Sequence, residues 1–289
     1  MFSRKRKKAP AKFNPSPGLV RLCYRLLLED RAMVVVLAVG GLTSTLVLAA
    51  ILVPAWTFAH ITPDVTHGGL PGLLVYAAAL WASSFVSVLT TGVVVAAAQI
   101  RCEGGDPDVR AALRLAWSRR GPLAAWAAVS TIVALVMQLL ERTGFAGWAV
   151  RVLAGIGWAV ATVFAVPILI GEGTGPGETV RRSADVVRHK FGTVVRSNVR
   201  LAFPWIVAGF VTGSLLLASV IGFAVAVSTG AVVGAAAAGT AMIVAGAMFF
   251  FCMATSSALS AYLDTLLYRY ATGLPVPPIE PRDLPPATA

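Results

Sequence analysis

Few side chains in this sequence have the chemistry of catalysis, and their spacing does not bring them together. His60, Asp64 and His67 share one short stretch, and two imidazoles with a carboxylate could in principle hold a metal. The i, i+4 histidine pair of a helical zinc motif is absent, however, and no metal site is expected. A Ser, His and Asp set fares no better, because the third histidine, His189, falls on the opposite side of the topology derived below. Cys23 and Cys102 lie on one side and Cys252 lies within an apolar run, so no outer pair can form a disulfide. The run from Gly171 to Gly177 looks at first like a phosphate cradle. It lacks both the Walker lysine and the dinucleotide spacing after a strand, and it reads instead as a turn whose Glu172 pairs with Arg181 or Arg182. Asp264, five residues before Arg269, reads as half of a structural ion pair before it reads as a proton relay. No catalytic residue, cofactor or metal is therefore expected. The candidate ligand or partner contacts reduce to Glu172, Arg181, Arg182, Asp264 and Arg269.

The elements that would hold these residues follow from the charge map. No Asp, Glu, Lys, Arg or His lies between Arg31 and His60, between His67 and Arg101, from Gly121 to Leu140, or from Val152 to Gly171, and none occurs in the 63 residues from Leu201 to Leu263. About 20 apolar residues cross the ~30 Å hydrocarbon core as a helix, which alone satisfies its own backbone in lipid. The 63-residue run would be about 95 Å long as one helix, so it must fold back once, and Ser228, Thr229 and Gly230 are the natural turn. Six spans result, near 32–58, 73–100, 121–140, 150–171, 202–227 and 231–263. The last is over-long for the core and should tilt or extend beyond it. At 57% hydrophobic and 13% charged, the chain has too little polar surface for a soluble globule.

Charge also orients the chain. With the N-terminus inside, 22 of the 24 Lys and Arg fall on inner segments, so both termini are expected in the cytoplasm. The net charge of +11 is thereby accounted for without nucleic acid as a partner. The N-terminal run Arg4 to Lys8 could also hold an anionic leaflet, at about 1 kcal/mol for each basic residue near it.

Each pair of spans is preceded by a basic stretch opening on proline: Ser16-Pro17, Asp106-Pro107 and Gly175-Pro176. Proline suits the first helical position, where its missing N–H has no partner to lose. Leu19, Leu22, Cys23, Leu26 and Leu27 then form one apolar stripe, and Val109, Ala112, Leu113, Ala116 and Trp117 a second. A looser stripe joins Val180, Ala184, Val187 and Phe191. The expected architecture is an all-α, polytopic membrane bundle of six transmembrane helices in three hairpins, each preceded by a cytoplasmic interfacial amphipathic helix. Residues 1–15 form a disordered basic tail, 16–273 the membrane domain and 274–289 a proline-rich tail. Gly209 with Gly213, and Gly230 with Gly234, offer close helix approaches, and Pro167 and Pro204 predict kinks or offset starts.

Specific residues resemble a known pattern. Trp158, Ala161, Thr162, Phe164, Pro167, Glu172, Gly173, Gly175 and Pro176, then Arg182-Ser183-Ala184 and Gly192, resemble the central signature of an uncharacterised family of bacterial six-span integral membrane proteins. The segment Leu267 to Gly273 is similar to that family after its last span. The arrangement also resembles the membrane domain attached to some glycerophosphoryl diester phosphodiesterases, whose catalytic domain this chain lacks. The resemblance implies topology, a bacterial plasma membrane and no mechanism. The expected function is non-enzymatic: organising or binding membrane partners, anionic lipid headgroups or a membrane protein, through the basic inner face. The alternative is a transporter or lipid-handling protein for an apolar or amphiphilic molecule.

Overall fold

A computed structural model describes residues 17–57, 69–141 and 145–274, with the side chains of 17–21, 141, 145–146 and 189–202 excepted. The basic N-terminal tail, the stretch holding His60, Asp64 and His67, residue Arg142 and the proline-rich tail from Pro275 lie outside the described residues. The described residues form nine helices and no strand: α1 Pro17–Glu29, α2 Arg31–Thr57, α3 Gly69–Cys102, α4 Val109–Ser118, α5 Arg120–Glu141, α6 Phe145–Ala161, α7 Ala165–Glu172, α8 Pro176–Ser228 and α9 Val232–Thr272. Six segments are long and apolar enough to cross a membrane: α2, α3, α5, Gly147–Glu172, Phe203–Ser228 and α9. The chain fits a multi-pass membrane protein by length and composition.

The turn between the last two spans falls where the sequence places it. α8 ends at Ser228, and Gly230 takes φ 72°, a left-handed value that costs a side-chain-bearing residue about 1–2 kcal/mol. Span four is broken, as Pro167 predicts. Proline has no N–H to give to the carbonyl four residues back, and its ring crowds that carbonyl, here Val163. Residues 162–164 form a turn between α6 and α7, closed by Ala165 N–H on the Thr162 carbonyl at 2.9 Å.

Three expectations need correction. The basic stretch from Pro176 is not a separate interfacial helix but the first part of α8, a single helix of 53 residues that also carries span five. Nothing between Arg188 and Leu201 breaks a helix more strongly than a lone glycine, and Pro204 sits inside α8 without ending it. The second stretch starts at Val109 behind Asp108, two residues later than Pro107 predicts. Finally, the stripe of α1 faces protein: Leu22, Cys23, Leu26 and Leu27 are all buried in the core.

Neighbouring spans run antiparallel where their contacts can be followed. Along α2 and α3, Asp30 meets Arg101, Gly40 meets Thr90, and Ser44 meets Ser83 with hydroxyls 2.7 Å apart. Trp126 of α5 stacks on Trp158 of α6 with ring centroids 5.8 Å apart. Along α8 and α9, Gly209 faces Met253, Gly213 faces Phe249 and Gly222 faces Ala238. The closest approach is at Gly40, where an added Cβ would lie 2.6 Å from Thr90 Cβ. Small residues do this work in lipid, where hydrocarbon gives helices no hydrophobic reason to associate.

Burial is uneven along the spans. Residues 92–99 of α3 are buried without a gap, as are Ile168 to Ile170 of α7 and Ala258, Leu259 and Ala261 to Leu263 of α9. By contrast Leu42, Leu46 and Val53 of α2, Phe210 and Leu217 of α8, and Val233 and Ile243 of α9 are exposed. A close-packed core thus occupies one end of the bundle, and the rest of the span length presents apolar side chains outward.

Candidate functional site at the polar end of the bundle

The charged and polar side chains gather where the core is densest. Asp30 occupies the single-residue break between α1 and α2 and is buried. Its carboxylate accepts from Arg101 Nε at 3.2 Å and from Arg101 Nη2, and from the Tyr262 hydroxyl at 2.9 Å. Glu29 adds a longer contact to Arg101 at 3.8 Å. A carboxylate this buried stays charged because both of its oxygens are satisfied and its arginine partner is partly exposed.

A second cluster joins α7, α8 and α9. Glu172 accepts from Arg182 Nη1 with one oxygen and from the Tyr268 hydroxyl with the other. Arg182 also donates Nε to Glu178 at 2.8 Å, and Arg181 grips Glu178 through Nε and Nη2 at 3.0 and 2.9 Å. These hydrogen bonds, Arg181 first and Arg182 second, hold the Glu178 carboxyl at about 2, below its ordinary range. Both guanidiniums are raised in turn, chiefly by the same hydrogen bonds to Glu178. Gly173, which ends α7, has φ 67°, a left-handed value that disfavours any side chain there, and it lies against the guanidinium of Arg119.

A third pair ties α9 to the turn after α3. Arg269 is almost wholly buried, and its Nη1 donates to Glu103 Oε1 at 3.2 Å. Asp264 lies close enough to Cys23 to be the second cause, after burial, of that thiol's raised pKa. A thiol so placed stays protonated and is a packing group, not a nucleophile.

Polar groups also close the break in span four. The Phe164 N–H, freed by the turn, donates to the buried Ser183 Oγ at 3.2 Å. Beyond the break, Gln99 Nε2 donates to the Pro167 carbonyl of α7 at 3.2 Å and ties that helix to α3. Helix breaks persist in a membrane protein only where the freed groups find such partners.

Of the five residues the sequence singles out, Glu172, Arg181 and Arg182 come together around Glu178, while Arg269 and Asp264 lie on other faces of the same end. Glu172 pairs with Arg182; Arg181 turns to Glu178. Among the described residues, no three His, Cys, Asp or Glu side chains form a group that could hold a metal ion.

Residues 72–274 match a family of unknown function, DUF6159. The chain belongs to that family. No curated protein and no solved structure matches the chain. The DUF6159 match runs from the start of α3 to the end of α9, so it takes in Glu172, Arg182, Tyr268, Glu103 and Arg269 and leaves out Asp30.

Sequence reasoning missed Asp30, Arg101, Tyr262, Glu103 and Ser183. Asp30 and Arg101 each read as the charged edge of a span, and nothing local says that two edges 71 residues apart meet. Ser183 had one usable signal: a proline-broken helix needs an acceptor for its freed N–H, and Ser183 follows the break within the same apolar face as Val187.

Proposed function

We propose that this chain is a non-enzymatic protein of the bacterial plasma membrane, both termini in the cytoplasm, that binds anionic lipid headgroups or a membrane-protein partner through its basic inner face. The observation that carries the reading is α4. Ala112 and Ala116 seat the helix on the bundle, while Leu113 and Trp117 stay exposed beside exposed Arg110, Arg114 and Arg120. Arg120 lies over the Trp117 ring, 5.8 Å from its centroid. An exposed tryptophan flanked by arginines is the composition of a helix at the headgroup level, where the ring meets the acyl boundary and the cations meet phosphate. Exposed Arg31, Arg181 and Arg188 extend the same charge. In this reading the spans form three hairpins, with α1, α4 and the start of α8 on the inner surface, as in the membrane domain of glycerophosphoryl diester phosphodiesterases.

Purification from native membranes in a mild detergent, with the bound phospholipid quantified by mass spectrometry, tests the reading. Anionic lipid several-fold enriched over the bulk membrane, or a stoichiometric membrane partner, is expected. Lipid of bulk composition and no partner would overturn it.

A second reading, handling of an amphiphilic molecule, is favoured by a cleft of about 550 Å³ between α6 and α8, lined by Gly157, Val160, Ala161, Ala184, Val187 and Arg188. The apolar walls and the Arg188 cation among its described lining residues would suit a lipid in transit. Movement of a fluorescent phospholipid between leaflets of proteoliposomes, faster than in empty vesicles, is its test.

A further inference from the structure

An apolar groove runs along α2 beside α3 and ends under α4. It holds about 300 Å³, at the lower end of the range of ligand pockets. Its floor is Gly40 and Val93, both buried, and its rim is Val35, Val39 and Leu113, all exposed. Gly40 lets α2 and α3 close against each other at Thr90 to form the floor, and Val109 and Leu113 of α4 cover one end.

Two features define what fits. The polar side chains in the lining are Thr43 and Thr90, and each gives its hydroxyl to a carbonyl of its own helix, Val39 at 2.8 Å and Val86 at 2.9 Å. Among the described lining residues a ligand meets no free donor and no charge, so the groove suits hydrocarbon and disfavours a polar metabolite. The closed end, in contrast, is cationic. Arg31 precedes Val35 by one turn on the same face of α2, and on α4 Arg110 and Arg114 form a row of their own beside the groove-lining Val109 and Leu113, about 100° further round the helix. All three arginines are exposed. The distance from Val35 to Thr43 is about 12 Å along the helix, close to the ~15 Å of hydrocarbon in one leaflet.

We propose that this groove is a binding site for one acyl chain of an anionic glycerophospholipid, its phosphate held by Arg31, Arg110 and Arg114. The site deepens the lipid-binding reading above and rests on it. It differs from general lipid contact in having one closed, charged end that fixes the headgroup and so the register of the chain in the groove.

The test uses the full chain in nanodiscs with phosphatidylglycerol carrying a diazirine in one acyl chain, and phosphatidylcholine with the same chain as control. Crosslinks should concentrate at least five-fold on the peptides containing Val35–Thr43 and Val109–Leu113 with the anionic lipid and not with the control. Replacing Arg31, Arg110 and Arg114 by Gln should remove that preference. Val39→Trp, at an exposed rim position that tolerates size, should abolish groove crosslinks while leaving anionic lipid enriched on the purified protein. Crosslinks spread evenly over lipid-facing residues such as Leu74, Leu153 and Phe210, with anionic enrichment intact, would overturn the groove and spare the basic-face reading. Loss of the enrichment itself would overturn both. A dimer that shields the groove from lipid and yields no groove crosslinks would also overturn the proposal.

Discussion

Removing the Arg101 guanidinium while leaving Asp30 in place should be among the most damaging single changes to the bundle. Asp30 has a side chain only 6% exposed, and two of its three hydrogen-bond donors come from Arg101. Arg101→Met keeps the packing of the stem and strands a carboxylate with the Tyr262 hydroxyl alone. Breaking a buried pair in this way costs about 3–5 kcal/mol, and because Arg101 is itself a quarter exposed, the lower end is expected. For a chain of this size that corresponds to a loss of about 6–12 °C in the unfolding midpoint. Asp30→Leu alone leaves a guanidinium that can still reach water and should cost less. The double variant Asp30→Leu with Arg101→Met replaces the pair by hydrocarbon and should recover most of the loss, so the cycle should give a coupling of at least about 2 kcal/mol. Thermal unfolding in detergent, followed by tryptophan fluorescence or by solubility of a fluorescent fusion, measures it. If Arg101→Met lies within about 0.5 kcal/mol of the parent, the polar end is not held by this pair and the account of why Asp30 is buried is wrong.

Three further changes probe other links. Glu178 gains its arginine partners only in the folded chain, and its carboxyl sits at about 2 against an ordinary 4.5, so its contribution is present above pH 4.5 and lost as pH falls toward 2. The difference in unfolding midpoint between the parent and Glu178→Gln should therefore be largest at neutral pH, shrink below pH 4.5 and vanish near pH 2. Gly40→Ala forces a methyl against Thr90 and should destabilise by about 1–3 kcal/mol, whereas at Gly209 the obstacle is the flexible end of Met253, and Gly209→Ala should be neutral or slightly stabilising in the same melt. Ser183→Ala leaves the Phe164 N–H buried without its acceptor and should cost about 1–3 kcal/mol, with Ser183→Thr recovering part of it.

The spans were legible because each is bounded by charge and because lipid imposes length on a helix; Pro167 and Gly230 marked a break and a turn for reasons local to the backbone. The joins were less legible. Whether a basic stretch stops before a span or runs into it depends on one or two residues: Asp30 and Arg119 interrupt the helix, and nothing does so between Arg188 and Leu201. Partner choice was the least legible. Glu172 with Arg182 is a short-range pairing that spacing could suggest, but Glu103 with Arg269 and Asp30 with Tyr262 depend on how distant helix ends meet, which no window of sequence contains.

Those long-range ties have a consequence for how the chain is made. Asp30 is synthesised 232 residues before Tyr262, and Glu172 waits likewise for Tyr268. Until the last turns of α9 leave the ribosome, the early helices can sit in the bilayer with their charged ends unsatisfied, held open at the membrane surface. The end of α9 acts as a clasp, and a chain cut short before Tyr262 should be threaded into the membrane yet never closed, a natural mark for the proteases that clear unfinished membrane proteins.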